Sequence, residues 1–484
     1  MSDKPYELVI GFETHLELAT VTKMFCGCSA RTFGAPPNSL VCPVCLGLPG
    51  ALPVTNRRAI ELGISVGLAL HCEVPEATKF DRKNYMYPDL PKGYQISQYD
   101  LPLNVNGYVD IETSSGKKRV RIRRVHVEED TGRLLHVSGA SLVDFNRSGV
   151  PLMEIVTEPD MRSVEEGLSY AQALREILVY TGASEARMEE GAIRFEPNIS
   201  IRFQEDGKTV WPPQSEIKNL NSFRAVERAI AYESDRLWRE WREGGEIRTR
   251  TGKVTMGWDD VKGRTYLQRT KEAEQDYRYF PEPDIPFLAP RRELVEEVRA
   301  KLPEMPDQRR ARFIREYALS TKDAATLTES RDLADYFEDL ARRADGAAKG
   351  TANFLLRDVL RALKEGRATL AQLREPRWTI APILDAVSSG AMSSSQASTA
   401  FSTGLADQTP FSEVVRRPEY QRLSDESAVA TAVEEAIAEN DAAVKAYRAG
   451  KPQAFEAIVG AVMKKTRGRA NSSVVRTLLK QRLA

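Results

Sequence analysis

Hydrophobic and polar residues alternate over much of the N-terminal half of the chain, and a period of two is typical of strands. This alternation predicts strands over residues 6–18, 118–127, 152–156 and 199–203. A helical period predicts helices over residues 163–181 and 223–242, and through most of the chain after the Pro-rich stretch at 280–290. The expected fold is therefore α+β, in which a region with a mixed or antiparallel sheet is followed by helices.

The first predicted strand places three ionisable side chains on one face. Glu13, His15 and Glu17 are two residues apart, while Ile10 and Phe12 belong to the opposite face. Any half-buried strand alternates in this way, so the polar face is either a solvent-facing edge or a divalent-metal site. Carboxylates with one imidazole suit Mg²⁺ or Mn²⁺.

The second predicted strand contains a slip in its alternation at Arg123 and Arg124, which predicts a β-bulge. Beyond the bulge, one face carries His126, Glu128 and Asp130. Glu129 falls on the apolar face, and Glu154 interrupts the apolar strand 152–156. A buried acid is costly unless a metal or a basic side chain neutralises it, so both interpretations stand for these two residues.

Four of the five cysteines form two close pairs, Cys26 with Cys28 and Cys42 with Cys45. Two pairs separated by about a dozen residues are typical of a structural Cys₄ zinc site. Cys72 stands apart. A disulfide framework is not expected, because such frameworks belong to small secreted domains and no export signal is recognisable.

The segment 79–98 combines four basic residues with three tyrosines and two prolines. It predicts an ordered loop that either contacts a nucleotide or an RNA end, or simply packs through its Tyr and Pro side chains. The sequence contains neither a Walker-type phosphate-binding loop nor a Gly-rich motif that opens a helix. A P-loop or Rossmann nucleotide site is therefore not expected.

The charges of the 484-residue chain balance at 69 basic and 69 acidic side chains, so attraction to nucleic acid has to come from a local patch. Residues 451–484 are strongly basic and follow an acidic segment at 426–441. This end is either a tRNA-binding surface or an ordinary solvated face. No apolar run approaches the roughly 20 residues of a membrane span, so we expect a cytoplasmic protein without membrane contact.

Several long motifs extend these observations. They read V-I-G-F-E-T-H-L-E-L, C-P-V-C-L-G-L-P-G, R-K-N-Y-M-Y-P-D-L-P-K-G-Y-Q-I-S-Q, D-F-N-R-S-G-V-P-L-M-E-I-V-T-E-P-D, E-I-K-N-L-N-S-F and Q-D-Y-R-Y-F-P-E-P-D. Together they closely resemble the B subunits of the tRNA-dependent amidotransferases, the GatB/GatE family. The resemblance runs over the whole chain, because the basic end is similar to the tRNA-binding tail of that family.

The resemblance implies a glutamine-synthetase-like cradle domain over residues 1–290 with a zinc-binding insertion at 26–45, a helical domain over 291–404 and a small helical tail domain over 405–484. It implies a ligase that forms carbon–nitrogen bonds with glutamine as amido donor. Such subunits use ATP and Mg²⁺ to phosphorylate the side-chain carboxylate of Glu or Asp misacylated onto tRNA(Gln) or tRNA(Asn), and ammonia then displaces the phosphate. The expected partners are misacylated tRNA, an amidase (A-type) subunit and a small (C-type) subunit, which complete a heterotrimer.

The resemblance also implies particular site residues. The expected catalytic residues and Mg²⁺ or Mn²⁺ ligands are Glu13, His15, Glu129 and Glu154, with Glu128 as the alternative to Glu129. The expected contacts to ATP or to the acceptor end are Lys83, Tyr85, Lys92 and Arg147. The structural zinc is assigned to the four paired cysteines, and the tRNA contacts are assigned to Lys464, Lys465, Arg467 and Arg469.

Two segments depart from the pattern of the family. Where R-C-D-x-N is common, residues 194–198 read R-F-E-P-N, and where E-T-R-G-W-D is common, residues 254–259 read V-T-M-G-W-D. These departures motivate an alternative, a tRNA-binding scaffold subunit with altered or lost kinase function. A further alternative is a stand-alone zinc-containing RNA-binding protein, which requires no amidase partner.

Overall fold

The computed structural model describes residues 5–249, 252–270, 276–343, 348–421, 426–466 and 469–483. The chain divides into two compact units, Met1–Met305 and Pro306–Ala484. Among the helices of the described stretches, none combines the length and the apolar character that crossing a bilayer requires.

The N-terminal unit contains fourteen strands and four α-helices within its described residues. The strands are β1 (Glu7–Glu17), β2 (Asp81–Asn84), β3 (Tyr94–Ser97), β4 (Asn104–Thr113), β5 (Gly116–Glu129), β6 (Arg133–Val137), β7 (Ala140–Asp144), β8 (Pro151–Thr157), β9 (Ile193–Glu205), β10 (Lys208–Val210), β11 (Ser215–Lys218), β12 (Val254–Asp259), β13 (Arg264–Thr270) and β14 (Phe280–Pro281). The helices are α1 (Arg57–Ala69), α2 (Val164–Tyr180), α3 (Phe223–Arg242) and α4 (Arg292–Ala300).

A nine-stranded mixed sheet forms the frame of this unit. Its strand order is β13-β12-β11-β9-β1-β8-β5-β4, and β10 pairs with β9 beside this path. Strands β11 and β12 run parallel, whereas the other neighbours are antiparallel. Strand β1 lies near the middle of the sheet, so its side chains have neighbours from both β8 and β9. Two smaller sheets have the orders β14-β2-β3 and β6-β7.

Helices α2 and α3 pack against the apolar face of the large sheet. Phe12 of β1 packs against Tyr170 of α2, with 5.3 Å between ring centroids, and Phe195 of β9 packs against Phe223 of α3 at 6.0 Å. Helices α1, α2 and α3 each begin at a residue whose side chain accepts hydrogen bonds from first-turn amides, namely Asn56, Ser163 and Ser222. The opposite face of the sheet is left to charged side chains.

The bulge that the sequence predicts in β5 is present, since its register against β8 shifts between Ile122 and Arg124. The interpretation of residues 79–98 as a loop is wrong in part, because β2 and β3 pair within this segment. Arg82 of β2 lies over the ring of Tyr94, and its guanidinium pairs with Glu282 next to β14. The strand that completes this small sheet is distant in sequence, so local patterns could not indicate it.

The C-terminal unit is helical in its described residues. Its α-helices are α5 (Pro306–Tyr317), α6 (Thr321–Leu327), α7 (Arg331–Arg343), α8 (Ala348–Phe354), α9 (Leu360–Lys364), α10 (Leu370–Arg374), α11 (Ala381–Ser388), α12 (Ser394–Ala406), α13 (Phe411–Val414), α14 (Glu426–Glu439), α15 (Asp441–Arg448), α16 (Gln453–Lys465) and α17 (Ser472–Leu483). Helices α5–α13 share one hydrophobic core and α14–α17 share another. The predicted fold class, a mixed α/β region followed by a helical region, is confirmed.

Candidate active site

The polar face of the large sheet collects acidic and imidazole side chains from neighbouring strands. His15 of β1 lies opposite Glu154 of β8, and Glu154 in turn lies opposite His126 of β5. In the next row of the same face, Glu13 lies opposite Glu196 of β9. Directly opposed residues of adjacent strands project to the same face, so the pairing of strands brings together groups that are distant in sequence.

The first cluster on this face consists of His15, Glu128 and Glu154. Each offers one ligand atom, and these atoms lie within 4.8 Å of one another. The Nε2 atom of His15 is 3.7 Å from Oε2 of Glu154, and the hydroxyl of Ser97 donates to Glu128 at 2.7 Å. Two carboxylate oxygens and one imidazole nitrogen form a donor set that fits Mg²⁺ or Mn²⁺.

Two cations compensate the carboxylates of this first cluster. The Nε2 atom of His126 lies 3.1 Å from Glu154 and 3.6 Å from Glu128. Burial disfavours the imidazolium, but the carboxylates of Glu154 and Glu128 outweigh it and raise the pKa of His126 to about 9. Burial likewise opposes the charge of Lys83, and Glu128 and Glu154 help to raise the pKa of its ammonium above the usual value. The ammonium of Lys83 therefore lies close enough to this cluster to be stabilised by its carboxylates, and its predicted contact to ATP or to the acceptor end stays a prediction.

The second cluster consists of Glu13, Glu196 and Glu216, whose ligand oxygens also lie within 4.8 Å of one another. Two lysines stand beside these oxygens. Lys253 Nζ is 3.0 Å from Glu13 Oε1, and Lys218 Nζ is 3.0 Å from Glu196 Oε2. The Nδ1 atom of His15 is 3.9 Å from Glu196, so the two clusters adjoin. Three carboxylates at this spacing fit a second divalent cation.

Sequence reasoning assigned Glu13 to a single metal site with His15, and it did not select Glu196, Glu216, Lys218 or Lys253. Glu216 belongs to β11, a strand of only four residues, which is too short for its alternation to be recognised. Glu196 follows a buried phenylalanine in β9 and occupies the acidic position of the R-C-D-x-N pattern, and these are the local signals for it. The pairing of β9 with β1 assembles the second cluster, and that pairing is not readable from local sequence.

Three predicted site residues lie away from both clusters. The Glu129 carboxylate accepts a hydrogen bond from Lys92 Nζ at 2.5 Å and another from a backbone amide at 3.0 Å. Arg147 donates to the carbonyl oxygens of Thr131 and Gly132, both at 3.0 Å. The structure therefore brings Glu128, and not Glu129, to the first cluster. The acid on the apolar side of β5 is neutralised by a lysine, which explains why it is tolerated there.

A cleft of about 1290 Å³ lies at the Glu13 end of the polar face. Two of its tyrosines, Tyr99 and Tyr279, stack with 4.3 Å between centroids and 8° between ring planes. Tyr85 meets the cleft residue Tyr277 edge-on at 5.9 Å. The wall of the cleft also includes Glu13, Arg124, Lys253 and Trp211. Aromatic faces beside cations and acids form a wall that suits a nucleotide.

The four paired cysteines come together as the sequence predicts. The sulfur atoms of Cys26, Cys28, Cys42 and Cys45 lie within 4.8 Å of one another. A hydrogen bond from Cys26 is the main cause that lowers the pKa of Cys45 to about 4, and the nearby ammonium of Lys23 contributes. Four thiols with this spacing fit a structural metal such as zinc.

The basic end of the chain is partly neutralised from within. Lys465 of α16 pairs with Glu435 and Glu439 of α14, at 2.9 and 2.8 Å. Lys464 is exposed and makes no ion pair within the described part of the chain, whereas Arg469 donates to a backbone carbonyl. Arg467, the fourth predicted tRNA contact, lies outside the described residues. The acidic and basic segments noted in the sequence therefore pair with each other in part.

The departures from the family pattern leave both clusters with their donors. Glu196 supplies a carboxylate to the second cluster. Val254 and Met256 are buried, and in register they lie opposite Ser215 and Ile217. Thr255, between them, projects to the polar face and donates to Glu216 at 3.3 Å. The residues that differ in β12 therefore point away from the carboxylates.

Comparison with known proteins places this chain in a family. Residues 8–296 match the model of the GatB/GatE catalytic domain, and residues 335–483 match the model of the GatB domain. The chain is similar to a protein of Roseiflexus sp. (strain RS-1), with 47% identity over 99% of this chain and 98% of the relative. It is also 47% identical to a protein of Thermomicrobium roseum and 45% identical to one of Carboxydothermus hydrogenoformans, in each case over 99% of both chains. Each relative is named as the B subunit of an aspartyl/glutamyl-tRNA(Asn/Gln) amidotransferase. The chain belongs to the GatB/GatE family.

Proposed function

We propose that the chain is the cytoplasmic B subunit of a tRNA-dependent amidotransferase and carries its ATP-dependent activating step. The substrate is Glu or Asp misacylated onto tRNA(Gln) or tRNA(Asn), and the partners are a glutamine-hydrolysing amidase (A-type) subunit and a small (C-type) subunit. The names of the relatives support the amidotransferase class. The observation that carries the activating step is the pair of adjoining metal-type clusters beside a nucleotide-sized cleft.

The reaction has two balanced steps. A side-chain carboxylate oxygen of the aminoacyl group attacks the γ-phosphorus of ATP, and ADP leaves. Ammonia then attacks the acyl carbon, and phosphate leaves with that oxygen, so an amide remains on the tRNA. Both steps bring anions together, and catalysis of this kind depends mainly on positioning and on neutralisation of charge.

The residues of the two clusters fit that requirement. His15, Glu128 and Glu154 would hold one divalent cation, and Glu13, Glu196 and Glu216 a second. With Mg²⁺ bound, these residues would place positive charge where it could neutralise phosphate oxygens. His126, whose Nε2 atom is 3.1 Å from Glu154, would hold that carboxylate in place. Lys83, Lys218 and Lys253 add positive charge around the two sites.

The remaining parts have supporting roles in this proposal. Zinc at the four cysteines would hold the loop 26–45. Just before this loop, the backbone amide of Met24 donates a hydrogen bond to the carbonyl oxygen of Gly149, next to β8. The exposed Lys464 would contribute to tRNA binding, with Arg467 and Arg469. The scaffold alternative is less well supported, because the departures from the family pattern leave the carboxylates of both clusters in place.

The test is ADP formation by the complex co-expressed with its amidase and small subunits. ADP release from Mg-ATP should require misacylated tRNA, and it should be lost in Glu154→Ala. A complex that binds tRNA but releases no additional ADP would instead favour the scaffold. Failure to co-purify with an amidase would favour a stand-alone RNA-binding protein.

A further inference from the structure

One arginine of the cleft differs from its neighbours along β5. Arg121 pairs with Asp160 at 2.7 Å, and Arg123 pairs with Glu158 at 2.8 Å. Arg124 is half-buried and has no acidic partner within the described residues. Its Nε atom is buried and has no hydrogen-bond partner among the residues that the structure describes. A guanidinium that is partly removed from water without compensation is costly, so a ligand that pairs with it is expected.

The bulge in β5 explains why Arg124 has this position. The register against β8 shifts between Ile122 and Arg124, so Arg123 and Arg124 do not take the alternating positions of a regular strand. Arg123 reaches Glu158, while Arg124 lies opposite Val156 on the polar face and lines the cleft. Bulges commonly redirect a side chain next to a functional site.

The register also relates Arg124 to the second cluster. Val156 lies opposite Arg124 on one side and opposite Glu13 on the other, so the three residues form one row across β5, β8 and β1. Two strand spacings separate the ends of the row, which is about 10 Å. An acidic cluster suited to a divalent cation therefore lies at one end and an unpaired guanidinium at the other. A metal-bound polyphosphate has the complementary charges.

Lys92 and Arg147, which the sequence singles out, do not meet this description. Lys92 is held by Glu129, and Arg147 is held by Asp130 and by backbone carbonyl oxygens. Lys253 lines the same cleft, but its ammonium is engaged with Glu13. A guanidinium is the better ligand here, because its planar fork binds two phosphate oxygens at once.

We propose that Arg124 is a phosphate-binding residue of the cleft and takes the phosphoryl oxygens of the nucleoside triphosphate. This inference rests on the proposed ATP-dependent function and names a residue that the sequence motifs did not select. It also accounts for the unpaired guanidinium, since the nucleotide supplies the missing anion.

The experiment is a calorimetric titration of the full chain, in complex with its partner subunits, with the non-hydrolysable analogue AMP-PNP and Mg²⁺. Loss of a charge-assisted, bidentate contact in Arg124→Gln should weaken binding by about 10- to 100-fold. Arg124→Lys, which keeps the charge and loses the fork, should bind with intermediate affinity. Arg121→Gln is the matched control, because it removes the same charge from the same strand outside the cleft, and its affinity should match that of the wild type.

Thermal melting separates this role from a structural one. Because no acid partner is lost, Arg124→Gln should melt no lower than the wild type. Unchanged binding of MgAMP-PNP by Arg124→Gln overturns the inference while leaving the proposed function intact, and so does weakened binding that is accompanied by a lowered melting midpoint. A wild-type complex that binds no MgAMP-PNP overturns both.

Discussion

The substitutions Glu128→Gln and Glu129→Gln should have opposite consequences, although the residues are adjacent in β5. Glu128 belongs to the cluster with His15 and Glu154, whereas Glu129 is bound to Lys92. The side chains of the Lys92–Glu129 pair are only 9% and 3% exposed. Removing one partner of a buried ion pair costs roughly 3–5 kcal/mol, because the other charge stays buried without compensation.

The expected stability change follows from the size of the unit. Unfolding entropy is about 2 cal/mol/K per residue, so a loss of about 3 kcal/mol in a unit of about 300 residues lowers its melting midpoint by about 5 °C. Glu128→Gln should cost less, about 1 kcal/mol, because Glu154 remains as the carboxylate beside His126 and the amide oxygen still accepts the hydrogen bond from Ser97. Tryptophan fluorescence is a suitable probe, since four of the five tryptophans, Trp211, Trp238, Trp241 and Trp258, belong to this unit.

Metal binding should show the reverse order. Loss of a group that merely orients a metal ligand costs roughly 10- to 100-fold in affinity, so loss of the Glu128 ligand should weaken the first site by at least about 100-fold. Titration with Mn²⁺, followed by the electron paramagnetic resonance signal of the free ion, counts the sites. We expect two sites in the wild type and in Glu129→Gln, and one in Glu128→Gln. If Glu129→Gln lost a site while Glu128→Gln kept both, the assignment of the two faces of β5 would be refuted.

Three other predictions concern the rest of the molecule. Elemental analysis should find one zinc per chain, and Cys45→Ser should lose it. After chelation, the four clustered thiols should react with a thiol reagent. Cys72 should not react, because burial raises the pKa of its thiol to about 12. Lys464→Ala should weaken tRNA binding in filter assays more than Lys465→Ala, because Lys465 is already paired with acids. Burial, with Asp130 nearby, raises the pKa of Glu17 to about 7, so the folded state favours its protonated form and loses stability as the pH rises from about 4.5 through 7. Glu17→Gln should therefore stabilise the fold by about 3 kcal/mol at pH 8, which raises the melting midpoint, and leave the midpoint nearly unchanged at pH 4. Equal gains at both pH values would contradict this.

Local patterns predicted those parts of the site that lie within single elements. Alternation placed Glu13 and His15 on one face of β1, and the slip at Arg123 and Arg124 indicated the bulge in β5. An acid in an apolar strand singles out Glu154, which the structure places within 4.8 Å of His15 and Glu128. Each of these signals depends on residues within about ten positions, where periodicity is informative.

Other parts of the site depend on pairing between distant segments. Alternation in β5 places Glu128 on the same face as His126 and Glu129 on the apolar face. A buried acid suggests a metal ligand, so the sequence favours Glu129 over Glu128 for the metal site. Lys92, from a separate loop, neutralises that acid instead. Glu196 and Glu216 enter the site only because β9 lies beside β1 and β11 beside β9. Strand order is a property of the whole fold, and a single sequence without its relatives contains little information about it.

If the chain transfers phosphate to a side-chain carboxylate, as we propose, an oxygen isotope in that carboxylate should be recovered in the released phosphate. The complex would be given ATP, glutamine and misacylated tRNA whose Glu or Asp side chain carries ¹⁸O in its carboxylate. We expect each phosphate released with the amidated product to contain one ¹⁸O, as seen by mass spectrometry, and Glu154→Ala to abolish this phosphate. Amidated tRNA formed together with unlabelled phosphate would contradict the claim.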